Sequence, residues 1–288
     1  MGHFGDLLAE GKTKRVWNIA GEPDMVLLEA KDDITAGDGA KHDIIEGKAE
    51  WATATTCNAF GLLKNLHRPL PVAFEGKHNP RVFKARKCTM LPFEVVIRRK
   101  AFGSYLKRHP HTEKGRWFYD VKCEFFLKTS GRRFGSYGFP TDDPMIVYDR
   151  HGTVLVHHPA KPIESEDSYL MSIPIEEILD QNLKINEVLE HNDVNMLFAW
   201  MKSNASEAFT LLEVAWEKVG GELIDFKVEF GVDTEGNLLL ADVIDNDSWR
   251  VIIDGEHVDK QQYRDGKPLD EVAARYQLVA ELTSRFVQ

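Results

Sequence analysis

The stretch GDLLAEGKTKRVW, residues 5–17, closes on Gly11-Lys12-Thr13, the tail of a phosphate-binding P-loop. A P-loop needs four residues between its first glycine and the Gly-Lys-Thr, so that backbone N–H groups curl round a phosphate, and a helix must open directly behind the lysine. Here five residues separate Gly5 from Gly11. Arg15-Val16-Trp17-Asn18-Ile19 alternates polar with bulky or β-branched side chains, which predicts a strand in place of that helix. The P-loop architecture is therefore excluded. Two strands joined through a glycine make either a hairpin lying over phosphates, with Lys12 and Lys14 as its cations, or an ordinary hairpin with solvated lysines.

Outward from this hairpin, residues 7–31 predict strands broken at Gly21-Glu22-Pro23-Asp24, and residues 31–47 a polar, glycine-bearing segment. A helix follows from Lys48 to about Leu66, free of proline, with Trp51, Ala54, Thr55, Ala59, Leu62, Leu63 and Leu66 at helical spacing. Residues 70–75 and 81–99 return to strand character, and Met90-Leu91-Pro92 suits a crossing point between an N-terminal sheet and the remainder. Strand-like pieces recur at 117–127 and 145–157. Residues 166–219 are expected to be mostly helical, ending at Gly220-Gly221. A strand, a turn and a strand cover 223–244, and a helix covers about 268–287. Sheet first and helices later, without regular βαβ alternation, predicts an α+β fold.

The 288 residues are 43% hydrophobic, enough for a substantial core, and carry a formal net charge of -10. Such a balance disfavours nucleic acid and anionic membrane as partners, since both select a basic surface. No apolar run approaches the roughly 18 residues of a membrane span and no leader pattern opens the chain, so a cytoplasmic protein is expected. Cys57, Cys88 and Cys123 lie far apart and read as reduced packing residues. The eleven histidines lack metal-ligand spacing, and no GxSxG elbow or Cys/His pairing offers a protein nucleophile.

Three constellations carry the chemistry. In LIDFKVEFG, residues 223–231, Ile224, Phe226, Val228 and Phe230 point one way while Asp225, Lys227 and Glu229 point the other. The next strand, LLLADVI, residues 238–244, is apolar except for Asp242. A four-residue turn Asp233–Gly236 would pair Val232 with Asn237 and set Lys227 opposite Asp242, with Glu229 one step diagonal. That face suits Mg²⁺, which takes one or two protein carboxylates and fills its shell with water and phosphate, or equally a buried Lys227–Asp242 ion pair. A slip of one residue would separate them. The second constellation, RRKAFGSYLKR, residues 98–108, gathers five cations around Gly103-Ser104, as an anion pocket or a solvated basic loop. The third, ADVIDNDSWR, residues 241–250, offers Asp245, Asp247 and Arg250 past a strand end, either lining a cleft or forming an Asx-rich turn.

In this order, EGKTKRV, KDDITAG, IIEGKAEW, MLPFEVVIRR, FGSYLKRHP, LIDFKVEFGVD and LLLADVIDNDSWR resemble the SAICAR synthetase family, most nearly the synthetase part of the bifunctional animal enzyme, down to DNDSWR and KQQYRD. The resemblance implies an ATP-dependent ligase of purine biosynthesis that joins L-aspartate to carboxyaminoimidazole ribonucleotide (CAIR), giving ADP and phosphate through an acyl phosphate. It implies an N-terminal, mainly antiparallel sheet domain over residues 1–91 and a larger α+β domain over 92–288, with ATP in the cleft between them. Gly11, Lys12 and Lys14 would cover the phosphates, Met90 and Glu94 bound the adenine segment, and Glu229 and Asp242 bind Mg²⁺. Lys12, Lys227 and Asp242 would be the catalytic residues. Arg98, Ser104, Asp225, Asp247 and Arg250 would contact the ribonucleotide, with Asp32 and Lys48 near the substrate. A separate carboxylase would supply CAIR, and a homo-oligomer is compatible with the family. Residues 129–175 resemble it poorly except at Asp143-Pro144, where the aspartate-binding loops would lie. The competing class is a small-molecule kinase on a related fold, transferring phosphate without aspartate.

Overall fold

The computed structural model describes residues 3–130, 134, 138–140, 142–149, 151–179, 183, 185 and 194–286. It divides into two compact units: residues 1–88, 210–223 and 241–288 in the first, residues 89–209 and 224–240 in the second. The chain leaves the first unit between Cys88 and Thr89, so Met90 and Glu94 belong to the second.

The first unit opens with strands β1 (Phe4–Glu10), β2 (Lys14–Ile19) and β3 (Glu22–Ala30). The hairpin β4 (Asp33–Ala36) and β5 (Lys41–Ile44) leads to helix α1 (Lys48–Lys64), then β6 (Phe74–Asn79) and β7 (Val82–Arg86). These build a five-stranded sheet in the order β1-β2-β3-β7-β6, antiparallel at every pairing. The segment after Gly11 is a strand, as its alternation requires. The expected break at Glu22-Pro23-Asp24 is corrected: those residues already belong to β3, and the turn is confined to Ala20-Gly21, with Gly21 at φ +81°. The first strand of the pair expected over 70–99 starts at Phe74. The polar segment 31–47 holds the β4–β5 hairpin that its composition hid.

In the second unit, β8 (Cys88–Lys100), α2 (Ser104–Arg108), β9 (Trp117–Leu127), β10 (Met145–Tyr148), β11 (Thr153–His157) and β12 (Tyr169–Pro174) follow in turn. Helix α3 (Ile175–Ile178) and helix α4 (Val194–Lys218), which belongs to the first unit from Thr210 on, precede β13 (Glu222–Asp233), which belongs to the second unit from Ile224 on, and β14 (Leu238–Ala241). The strands run β12-β11-β10-β9-β8-β13, with β14 beside β13. Part of the expected 166–219 helix is corrected: Tyr169–Pro174 pairs with β11, because YLMSIP is a short apolar run that fits either state. Part of 180–193, and part of the divergent stretch 129–175, lie outside the described residues. The last turn of α4 ends at Gly220, φ +83°, and Gly221 packs on the fully buried Trp216, where an added Cβ would stand 2.6 Å from Cε3.

The rest of the first unit comprises β15 (Trp249–Ile253), β16 (Glu256–His257), α5 (Gln261–Arg264) and α6 (Leu269–Thr283). Ile34, Ile45, Tyr263, Val272 and Tyr276 form one core cluster there, tying α6 to the β4–β5 hairpin. Ile224, Phe226, Val228 and Phe230 are buried as the alternation of β13 predicts, and Leu238 to Ala241 are buried on both faces.

Candidate functional site

The Gly11 hairpin closes with the Gly11 N–H donating to the Lys14 carbonyl at 2.9 Å, while Lys31 N–H donates to the Thr13 carbonyl at 2.8 Å. Lys12 is exposed, on the three-residue loop 11–13 between the paired strands, and Lys14 is half-buried as the first residue of β2. Lys14 donates to the Asp242 carboxylate. Asp242 lies just past β14 with φ +67°, a left-handed conformation uncommon outside glycine, asparagine and aspartate.

The register expected at the β13–β14 turn is corrected. The turn Asp233–Gly236 forms, with Gly236 N–H donating to the Asp233 carbonyl at 3.1 Å, but Asp233 N–H then donates to the Asn237 carbonyl at 3.0 Å. Gly236 at φ +88° inserts a bulge residue, and the Asp233 carboxylate fixes it by accepting the N–H of Glu235 at 3.0 Å and of Asn237 at 2.8 Å. Pairing therefore steps from Asp233 and Asn237, one residue away from the Val232–Asn237 pairing, and the count that put Lys227 opposite Asp242 does not hold. β14 ends at Ala241, before Asp242 is reached.

The chemical face of β13 survives this correction. Lys227 Nζ donates to Glu94 at 2.7 Å and to Glu229 at 3.4 Å, and Lys128 Nζ donates to Glu229 at 2.6 Å. Glu94 thus holds a lysine at the end of the segment expected to bound adenine, and Met90 at its start is half-buried. Asp225, next on that face, accepts Arg98 Nη1 at 2.7 Å. Arg98 Nε donates to Glu124 at 2.6 Å, and its Nη2 approaches Ser104 Oγ at 3.5 Å. The same Glu124 accepts Arg108 Nη2 at 2.5 Å. Burial alone would raise the Glu124 carboxyl, but the two guanidinium groups outweigh it and hold it below the usual carboxylate range. The basic stretch 98–108 is therefore built around internal carboxylates; Arg98 and Arg108 are not solvated.

The third constellation is an Asx turn: Asp247 N–H donates to the Asp245 carboxylate at 2.9 Å, and Ser248 N–H to the Asp245 carbonyl at 2.8 Å. Asp247 accepts Lys260 Nζ at 3.0 Å and Tyr276 Oη at 2.5 Å. Burial, then the neighbouring Asp247, pushes the Asp245 carboxyl up to about 6. Asp247 moves the other way, since Lys48 and Lys260 overcome its burial. Lys48, 2% exposed, lies at the start of α1 with Nζ 5.3 Å from the Tyr276 ring centroid. Asp32 caps that helix, accepting Ala49 N–H at 2.9 Å and Arg81 Nη2 at 2.8 Å. Arg250 is half-buried on β15.

Within the first unit the structure gathers Lys14 with Asp242, and Lys48 with Asp245 and Asp247. Within the second it gathers Glu94, Lys227 and Glu229, and Arg98, Ser104 and Asp225. Sequence reasoning missed Glu124, Arg108 as a buried clamp, Lys128, Lys260 and Tyr276. Glu124 had a signal, an acid flanked by Cys123 and Phe125 in an otherwise apolar strand end. Its partners come from distant positions and leave none.

Among the described residues no three His, Cys, Asp or Glu side chains converge as a metal cage, and no helix is long and apolar enough to cross a membrane. Cys57, Cys88 and Cys123 stand outside any disulfide, and burial pushes the Cys57 and Cys123 thiols up to about 12.

A family model described as SAICAR synthetase matches residues 7–133 and 171–281, and the gap falls inside the divergent stretch. The phosphoribosylaminoimidazole-succinocarboxamide synthase of Chloroflexus aurantiacus is 38% identical, the alignment covering 98% of each chain. The probable multifunctional protein ADE2 of Caenorhabditis elegans is 37% identical over 98% of this chain and 59% of its own length. A solved SAICAR synthetase in complex with ADP superposes with a TM-score of 0.72 at 25% identity, covering 97% of both chains.

Proposed function

The chain belongs to the SAICAR synthetase family, and on that premise we propose how its residues divide the work of the reaction. The chain is an ATP-dependent ligase of purine biosynthesis, condensing CAIR with L-aspartate to give SAICAR, ADP and phosphate. The observation that carries this is an alignment running the full length of a relative with that activity in its name, with 38% identity over 98% of both chains.

The reaction is proposed to pass through an acyl phosphate. A CAIR carboxylate oxygen attacks the γ-phosphorus of ATP, the bond to the bridging oxygen breaks, and ADP leaves. The aspartate amine then attacks the acyl carbon, phosphate departs with the former carboxylate oxygen, and the amine proton passes to solvent. No protein nucleophile is required, so the chain's task is positioning and charge neutralisation. Lys12 and Lys14 serve the phosphates from the Gly11 hairpin. Arg98, Ser104, Asp225, Asp247 and Arg250 serve the ribonucleotide, Met90 and Glu94 bound the adenine, and Asp32 and Lys48 support the substrate side. Lys227 holds Glu229 and Glu94 in register.

Glu229 of the second unit and Asp242 of the first are the residues proposed to hold Mg²⁺: each is a hard oxygen donor with a lysine against it, and Mg²⁺ completes its shell with water and phosphate when few side chains ligate it. Bound there, it would neutralise charge on the transferred phosphoryl group. A cytoplasmic location, CAIR supply by a separate carboxylase and a homo-oligomeric state belong to the same proposal.

Isotope transfer tests the acyl phosphate. CAIR with heavy oxygen in its carboxylate should yield heavy inorganic phosphate in step with SAICAR; unlabelled phosphate would rule the intermediate out.

A further inference from the structure

We propose that Glu124 is a positioning residue for the ribonucleotide pocket, fixing Arg98 and the Ser104 helix against each other. The inference rests on the assignment of Arg98 and Ser104 to the ribonucleotide.

Glu124 lies on β9 and spends both carboxylate oxygens on neighbours. Oε2 accepts Arg98 Nε at 2.6 Å, from β8. Oε1 accepts Arg108 Nη2 at 2.5 Å and Nε at 3.2 Å, from the last residue of α2. Arg108 also donates from Nη1 to the Pro159 carbonyl at 3.1 Å, which leaves it anchored on two sides. The burial is nearly complete, with Arg98 3%, Arg108 0% and Glu124 8% exposed.

Two consequences follow from charge and geometry. Arg98 and Arg108 are balanced by Glu124 and Asp225, so the cluster is neutral; without Glu124, two guanidinium groups would share one carboxylate in a region where an unpaired charge is costly. The second consequence concerns reach. Ser104 begins the five-residue helix that Arg108 ends, so one oxygen of Glu124 sets Arg98 and the other sets the helix bearing Ser104. Nε and Nη1 of Arg98 are committed to Glu124 and Asp225, and Nη2 is the group turned toward Ser104 Oγ. The donor edge offered to a phosphate or ribose oxygen is therefore chosen by Glu124. With its oxygens taken and its carboxyl held ionised by the two arginines, Glu124 is not itself a proton donor or a ligand contact.

Steady-state kinetics of three variants tests this. Glu124→Gln keeps the shape but turns one oxygen into an amide donor facing an arginine. It should raise KM for CAIR roughly tenfold, with kcat and the KM values for ATP and aspartate near those of the parent. Arg98→Lys should raise KM for CAIR too, and the double variant should show less than the product of the two single effects, because part of what Glu124 does passes through Arg98 and only the part that passes through Arg108 and the Ser104 helix adds to it. If Arg98→Lys leaves KM for CAIR unchanged, the assignment of Arg98 is wrong. If Arg98→Lys raises it and Glu124→Gln does not, or lowers only the urea midpoint, the positioning role is overturned. Should Glu124→Gln fail to fold, Glu124→Asp, which keeps the charge but shortens the arm, carries the same expectation and the same overturning result.

Discussion

Asp242 combines a left-handed backbone, φ +67°, with a carboxylate bonded to Lys14. Asparagine tolerates that backbone nearly as well as aspartate, so Asp242→Asn isolates the charge. It should lower kcat by about a hundredfold or more, as expected when a charged group acting on the transition state is lost, with a urea midpoint close to the parent's. A collapse of the fold with no separate effect on kcat would make the residue a structural ion pair. Asp245 gives a different signature. Its carboxyl is pushed up to about 6 in the folded chain against an ordinary 3.8, so between those values the folded state holds a proton that the unfolded state has released. Its contribution to stability is thus lost as pH rises through that window. Asp245→Asn, measured by urea unfolding at pH 4.5 and 7.5, should gain stability relative to the parent at the higher pH; a pH-independent difference would contradict the assignment.

At the scale of elements, α1 was readable from its periodicity, and its cap was not. The resemblance sets Asp32 near the substrate, and its carboxylate receives the Ala49 N–H and Arg81. Asp32→Ala should cost about 1 kcal/mol, the usual worth of an N-terminal cap, visible as a lower urea midpoint; no stability change would mean that the cap is redundant. β13 was legible because alternating side chains report which face is core. The register of β14 was not, because Gly236 at φ +88° adds a bulge that counting from a four-residue turn omits. β12 was hidden for another reason: a six-residue apolar segment carries no period long enough to separate strand from helix. The clamp of Glu124 on Arg98 and Arg108 depends on pairings across 26 and 16 positions, which no local pattern records.

At the scale of the whole molecule, an acidic chain of net charge -10 must hold anionic substrates with local cations. Among the described residues most of those cations stand against carboxylates: Lys14 with Asp242, Lys128 and Lys227 with Glu229, Arg98 with Asp225 and Glu124. Such pairs keep charge ordered without substrate and ready to be matched by phosphate, sugar or metal. The arrangement suits phosphoryl activation of a carboxylate followed by amine attack, and it equally contains the parts of a kinase. What separates the two is aspartate. ADP release should therefore be followed with ATP, Mg²⁺ and CAIR, with and without L-aspartate: sustained release only when aspartate is present, in step with SAICAR, is the predicted result, and sustained release that ignores aspartate would contradict the ligase.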